Sequence, residues 1–372
     1  MPCGTPLADF LWIGRVQQNE NRGNVMKRNT LGRTGIEISS YCLGTMTFGS
    51  QTVEADSHRQ MDMALAAGID FFDAAEMYPT NPIAKETVGD TERQIGNWFA
   101  TQGKRDQVVM ATKITGAGMK LVRDGAKIDA STIATAVEGS LKRLKTDYID
   151  LYQFHWPNRG SYMFRQNWNF DPSQQNAAEV QDNMVECLEA LQKEVDRGTI
   201  RAFGLSNESC WGTGKWLANA VAGHGPRVAS IQNEYSLMCR LFDTDLAELC
   251  VNEDVGLLAF SPLAAGLLTG KYLDGQFPKG SRGDIDNRLS GRNSTRAPEA
   301  VAAYKSIAEK HGLDLIHMAL AWCDTRPFMA SVIFGATTVA QLEHILQGLH
   351  LELSDEVMRD LANAHKRVPM PY

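Results

Sequence analysis

Across 372 residues the chain has no excess of basic charge, no apolar run long enough to cross a bilayer and no paired cysteine motif. Lys and Arg total 37 against 44 Asp and Glu, a net charge of -7, whereas a general nucleic-acid binder shows a basic face. A membrane span takes about 18 or more consecutive apolar residues. The first apolar stretch, Leu7 to Ile13, carries Asp9 and has no basic residue ahead of it, so it makes a poor secretory signal. A cytoplasmic protein without nucleic-acid or membrane partners is expected. The seven cysteines are spread from Cys3 to Cys323 without a C-x-x-C, which argues against a disulfide framework or a zinc site and for reduced thiols.

Several catalytic motifs are also missing. Gly116-Ala117-Gly118 lacks the third glycine of a dinucleotide fingerprint, and neither Gly214-Lys215-Trp216 nor Gly270-Lys271-Tyr272 completes a phosphate loop. Gly204-Leu205-Ser206-Asn207-Glu208 fails the nucleophile-elbow pattern at its last position. None of the eight histidines forms H-E-x-x-H. Metal hydrolysis, phosphoryl transfer and serine hydrolysis lose ground, no metal is expected, and any dinucleotide site must be of a non-Rossmann kind.

What is present is an alternation. With 43% hydrophobic and 22% charged residues the composition is that of a folded globule. Short β-branched or apolar runs predict strands at 38–43, 69–72, 108–112, 149–154, 200–205, 229–232, 256–260 and 331–334. Helical periodicity fills 54–67, 91–101, 130–144, 179–197, 211–222, 244–252, 299–322 and 339–347, and Gly68, Gly103, Gly198 and Gly312 sit where helices should stop. Eight β-α repeats without a linker point to an α/β fold, a single (β/α)8 TIM barrel over residues 26–372. Residues 1–25, polar and Asn/Gln-rich after Ile13, are expected to be a disordered extension, with Met26 as an alternative start. Two long loops follow the fourth and seventh strands, 156–178 with interleaved aromatics and 267–297 rich in Gly and Arg. Both fall on the face where barrel enzymes build their sites.

Four ionisable residues fall at successive strand ends: Asp73 and Tyr78, then Lys113, then His155. A tyrosine with a pKa near 10 is a reluctant acid at neutral pH. A cation beside it lowers that value, and an aspartate behind the cation keeps it charged. With a histidine titrating near neutrality to orient or protonate, the set describes a general acid that protonates a carbonyl oxygen. Each residue alone has a plainer reading as a helix cap, a rim charge or a buried, hydrogen-bonded imidazole.

The stretches Gly32-Arg33-Thr34-Gly35, Leu43-Gly44-Thr45-Met46-Thr47-Phe48-Gly49, Gly68 to Tyr78, Ala111-Thr112-Lys113, Asp147 to His155 and Gly204-Leu205-Ser206-Asn207 resemble the aldo-keto reductase signatures. The resemblance runs from about Met26 to the end and is nearest to the bacterial NADP(H)-dependent members related to the potassium-channel β-subunit branch. It implies a barrel that binds NADPH in extended form and passes hydride to an aldehyde or ketone. It makes Tyr78 the proton donor, Lys113 and Asp73 its tuning pair and His155 the substrate-orienting group. Ser206, Asn207 and Gln232 match the family's nicotinamide-carboxamide contacts, and Phe260 takes the place of the aromatic that stacks on the nicotinamide. Ser261, Pro262, Leu263, Gly266 and Lys271 match the stretch around the pyrophosphate, and Arg282 would lie over the adenine end. Gly44, Thr45 and Met46 join the cofactor set, as do Gly335, Thr337 and Gln341; Phe48 and Trp156 are assigned to the substrate pocket. After Gln341 the family's usual Glu-Asn pair is replaced by His344-Ile345, and Ile345 cannot hydrogen-bond the adenine amine. Lys271 and Arg282 are suited to grip a 2′-phosphate.

Two other functions stay open for these residues: a Schiff-base aldolase with Lys113 as nucleophile, and an NADPH-sensing regulatory barrel with little turnover. The sequence sets neither the substrate nor the oligomeric state.

Overall fold

The computed structural model describes residues 25–372, so the expected extension lies almost wholly outside the described residues. The chain opens with an antiparallel hairpin, β1 (Arg28–Thr30) and β2 (Glu37–Ser39). A closed parallel barrel follows: β3 (Tyr41–Gly44), β4 (Phe71–Asp73), β5 (Val109–Ile114), β6 (Ile149–Phe154), β7 (Ile200–Ser206), β8 (Val228–Glu234), β9 (Gly256–Phe260) and β10 (Met329–Phe334), which pairs back onto β3. The helices α1 (Glu54–Ala66), α2 (Asp90–Gln102), α3 (Ala130–Leu144), α4 (Ala177–Asp196), α5 (Cys210–Val221) and α6 (Asp245–Glu253) cover the strands in turn. After β9 come a single turn α7 (Arg282–Ile285), then α8 (Ala297–Lys310) and α9 (Leu315–Asp324). The fold ends with α10 (Val339–Leu346) and α11 (Asp355–Arg367). This is the expected (β/α)8 barrel, and among the described residues no helix is long and apolar enough to cross a membrane. All six described cysteines are free thiols.

Two of the expected runs are split. The run 38–43 is broken at its serines: Ser39 N donates to Asp70 Oδ1 at 3.0 Å and Ser40 N to Lys27 O at 2.8 Å, so Ile38 stays in the hairpin and the barrel strand starts at Tyr41. The helix expected over 299–322 is two helices. Gly312 turns at φ 65°, and the Asp314 carboxylate caps a new start by accepting from the Ile316 and His317 amides. Neither the short hairpin nor α11 was anticipated. The loop after β9 is not structureless, since it contains α7 and two 3-10 turns.

Strand side chains alternate between faces, and this alternation builds the barrel interior in layers. Cys42, Phe71, Ala111, Leu151, Ala202, Leu258 and Ala330 form one apolar cluster with Leu31, Ile36 and Ile38 of the hairpin, which plugs the end of the barrel opposite the site. At Gly32 (φ 54°) the hairpin turn presses on that end so closely that an added Cβ would lie 2.6 Å from Ala229 O. Two residues further along the same strands the interior becomes polar or minimal: Gly44, Asp73, Lys113, Gln153 and Gly204. The outer faces carry the larger core. There Phe154, Phe203 and Trp216 meet edge to face with centroids 4.9 to 5.8 Å apart, a favourable aromatic geometry.

Candidate active site

The polar layer is organised around Asp73. Its Oδ2 accepts from Lys113 Nζ at 2.6 Å, and its Oδ1 accepts from Gln232 Nε2 at 2.9 Å and Gln153 Nε2 at 3.1 Å. Gln232 Nε2 also reaches Gln153 Oε1 at 3.1 Å. Lys113, with no exposed surface, has a further acceptor in Ala74 O at 2.7 Å, and its ammonium lies 4.9 Å from the Tyr78 ring centroid. Removing an ammonium from water disfavours its charge, yet the carboxylate beside it raises the Lys113 pKa above its usual value. Glycine at 204 makes room for this layer, because a Cβ there would sit 2.7 Å from Ser230 Oγ and 3.3 Å from Gln153 Cγ.

Tyr78 stands over the layer at the mouth of the barrel. It follows a turn held by Tyr78 N to Ala75 O at 3.0 Å and by Glu76, whose Oε1 takes the Thr115 amide and Arg123 Nη2. Its ring meets His155 at 5.7 Å and 78°. Lys113 was expected to lower the tyrosine pKa. Burial outweighs it: the net shift is upward from the usual 10.0, with Lys113 acting against burial and Asp73 adding to it. His155 was expected to titrate near neutrality. Burial, aided by the charge of Lys113, instead holds it well below the usual 6.5, so the imidazole is neutral, and its Nδ1 has no partner among the described residues. A neutral imidazole can orient a substrate oxygen by donating its one N–H as a hydrogen bond, but it is not an acid that gives the proton up.

Asp73, Tyr78 and His155 open onto one cavity of about 1700 Å³, larger than the roughly 300–1,000 Å³ of a usual small-ligand pocket. Every position assigned by resemblance to the cofactor lines it: Gly44, Thr45 and Met46; Ser206, Asn207 and Gln232; Phe260, Ser261, Pro262, Leu263 and Gly266; Lys271 and Arg282; Gly335, Thr337 and Gln341. Trp156 lines it as well, its ring tilted 47° against His155 with centroids 4.9 Å apart. Phe48 does not. It has no exposed surface, belongs to the apolar core, and its carbonyl accepts from Thr91 Oγ1 at 2.7 Å; a tight turn of residues 45–52 folds it inward.

The wall after β9 is built of unusual backbone. Ser261, Ala264, Ala265 and Gly266 all have φ between 48° and 94°, and the tight turns they form are closed by Ala264 N to Ser261 O at 2.8 Å and Gly266 N to Leu263 O at 2.9 Å. Among the described residues the Arg282 side chain bonds only Ser290 Oγ, at 3.5 Å, and its Nε is buried without a partner. Burial and the neighbouring Arg292 and Arg165 push its pKa down to about 10, so it is still charged at neutral pH. At the far end Gln341 Oε1 accepts from Thr337 N and Oγ1 at 2.9 and 3.0 Å. His344 lines the cavity beside Ile345, stacks on His317 at 4.8 Å, and bonds Asp314 Oδ2 at 3.1 Å.

Sequence reasoning missed two groups. Gln153 contacts Asp73, and its signal was present: it lies near the end of β6, two residues before His155. Glu234, Arg165 and Arg292 form a buried ion cluster at the rim. Glu234 was legible as the residue two beyond Gln232, whereas its arginines come from loops with no period to read.

The sequence pattern of the Aldo/keto reductase family matches residues 41–366. The chain belongs to that family. It is 42% identical to Protein tas of Escherichia coli over 352 residues, covering 93% of this chain and 99% of that protein. It is 33% identical to the uncharacterized oxidoreductase YrpG of Bacillus subtilis, covering 90% and 95%. A probable voltage-gated potassium channel subunit beta of Arabidopsis thaliana shares 29%, covering 87% and 91%. This aldo/keto reductase is therefore an oxidoreductase of carbonyl compounds with a nicotinamide cofactor.

Proposed function

We propose that the protein reduces aldehydes or ketones to alcohols with NADPH, Tyr78 donating the proton. The observation that carries this reading is the convergence of Tyr78, His155 and a polarised Lys113–Asp73 pair on the cavity lined by every cofactor position. The residues fit the group. Asn207 Oδ1 is a buried acceptor without a partner, its Nδ2 being used by His155 O at 3.0 Å and Ser206 Oγ at 3.1 Å, which suits a carboxamide donor. Phe260 offers a ring beside it, Ser261 to Gly266 and Lys271 suit the pyrophosphate, and Arg282, with its unpaired Nε, suits a 2′-phosphate. When bound, the cofactor supplies hydride.

The chain's own task is the proton and its placement. Negative charge growing on a carbonyl oxygen near Tyr78 is stabilised by the phenol proton and by the neutral His155 as a second donor. As the proton leaves, the phenolate forms against the Lys113 ammonium, which Asp73 holds charged. The upward shift of Tyr78 keeps the phenol protonated in the resting site, which is the form a general acid needs. Gln153 and Gln232 hold the other carboxylate oxygen and so fix where Lys113 points. At the adenine end His344 and Ile345 stand where the family's usual acid and amide would be, and His344 bonds Asp314 Oδ2 at 3.1 Å.

The test is Tyr78→Phe. NADPH binding, read by fluorescence titration, stays, while turnover over a carbonyl panel falls by about 10²- to 10⁴-fold, the usual worth of a general acid. Near-full activity in this variant would remove Tyr78 from its role. Borohydride trapping of substrate on Lys113 without NADPH would point to the aldolase instead.

A further inference from the structure

At the rim of the cavity two arginines hold one carboxylate, with a third, Arg282, nearby. Glu234, at the end of β8 and paired in register with Phe260 of β9, receives Arg292 Nε on Oε1 at 2.6 Å and Arg165 Nη1 on Oε2 at 2.6 Å. Tyr372 Oη adds a bond to Oε1 at 3.1 Å. Burial alone would raise the Glu234 pKa, but the two guanidinium groups hold it below its usual value. Arg292 spends its remaining groups on Leu289 O at 3.2 Å and Ser261 Oγ at 3.3 Å, which ties the carboxylate to the cofactor wall next to Phe260.

Arg165 ties the same carboxylate to the aromatic loop. Phe164 and Arg165 are successive non-glycine residues at φ 55° and 64°, a strained conformation that persists only where its surroundings enforce it. The ion pair with Glu234 is the enforcing contact at Arg165. Phe164 is thereby set edge-on to Trp156 at 6.0 Å, and Trp156 lies against His155. One carboxylate therefore fixes the substrate-side wall through Arg165 and the cofactor-side wall through Arg292.

We propose that Glu234 is a positioning residue that couples seating of the cofactor to closure of the aromatic loop, through Arg292 on one side and Arg165 on the other. This rests on the NADPH reading above. Arg165, Arg292 and Arg282 outnumber the carboxylates they face, the buried Glu234 and the more exposed Asp286 beside Arg282, so phosphate groups entering the cavity reduce the repulsion among the three guanidinium groups. The loop then holds more firmly with NADPH than without, and by reciprocity an ordered loop strengthens NADPH binding.

The experiment uses the full chain and three variants, Arg165→Met, Arg165→Lys and Tyr372→Phe. It reads the NADPH dissociation constant by fluorescence and the rate of proteolytic cleavage within residues 158–176, each without turnover. In the unaltered protein NADPH slows cleavage of the loop. Arg165→Met, which keeps the stem and loses the charge, raises the dissociation constant by about fivefold or more and removes most of the protection. Arg165→Lys restores both in large part, which mere loss of packing would not explain. Tyr372→Phe removes one hydrogen bond and no charge, and moves both readouts in the same direction by a smaller amount. Should Arg165→Met fail to fold, the lysine and phenylalanine variants decide the matter. Unchanged affinity and unchanged protection in the variants overturn the coupling. Failure of the unaltered protein to bind NADPH overturns the functional reading instead.

Discussion

Replacing Asp73 with Asn tests the electrostatic core of the site. Lys113 has no exposed surface, and its ion-pair partner is Asp73 at 2.6 Å. In Asp73→Asn the amide oxygen can still accept from Gln153 and Gln232, which leaves the amide nitrogen facing the ammonium. Removing one member of a buried ion pair costs about 3–5 kcal/mol, so urea or thermal unfolding should show a loss of that size near neutral pH. The pH dependence carries the sharper test. In the native protein Asp73 raises the Lys113 pKa above 10.5, so its contribution is complete below that value and is lost as pH rises through the raised one. In Asp73→Asn burial loses its largest opponent, Tyr78 alone remaining against it, and the lysine pKa is expected to fall below its unfolded value. The unfolded chain then binds more protons across the window below pH 10.5, and stability rises with pH there. Adding Lys113→Met to make a double variant should recover much of the stability, because an apolar pair replaces the lone charge, with no recovery of turnover. An Asp73→Asn protein with native stability and a flat profile would refute this account of the polar layer.

Other consequences follow from single contacts. Gly204→Ala drives a methyl to 2.7 Å from Ser230 Oγ and should cost about 1–3 kcal/mol of stability by overpacking, measurable by denaturant titration. Because burial holds His155 well below 6.5, kcat/KM should show no inflection from this residue between pH 6 and 8; an inflection near 6.5 that vanishes in His155→Gln would contradict the neutral imidazole. Arg282→Met should weaken NADPH more than NADH in paired titrations, by about tenfold or more if the guanidinium makes a charge-assisted bond worth 1.5–3 kcal/mol. Equal losses for the two cofactors would place Arg282 away from the 2′-phosphate.

The barrel and the strand-end constellation were legible because both follow from local rules. Eight apolar runs separated by helical periods leave little choice of architecture, and the alternation of side chains along a strand marks which residues near its end face the mouth of the barrel. Boundaries set by side-chain hydrogen bonds were not legible: Ser39 and Ser40 divide the first run, and Asp314 caps a second helix inside an apparently continuous one. Phe48 lies between residues that line the cavity, but a tight turn buries it, and nothing in its local pattern distinguished the two outcomes. Gln153 could have been found by counting two residues back from His155.

The sequence alone determined the fold class, the family resemblance and the identities of Asp73, Tyr78, Lys113 and His155 as a set, because residue type and strand-end position are one-dimensional properties. Only the tertiary structure decided their charge states. Whether Lys113 lowers the tyrosine pKa or burial raises it, and whether His155 titrates near neutrality, depends on desolvation and on distances between strands far apart in the chain. The union of Glu234 with Arg165 and Arg292 was decided at the same level, since it joins a strand end to two loops 69 and 58 residues away that share no period with it.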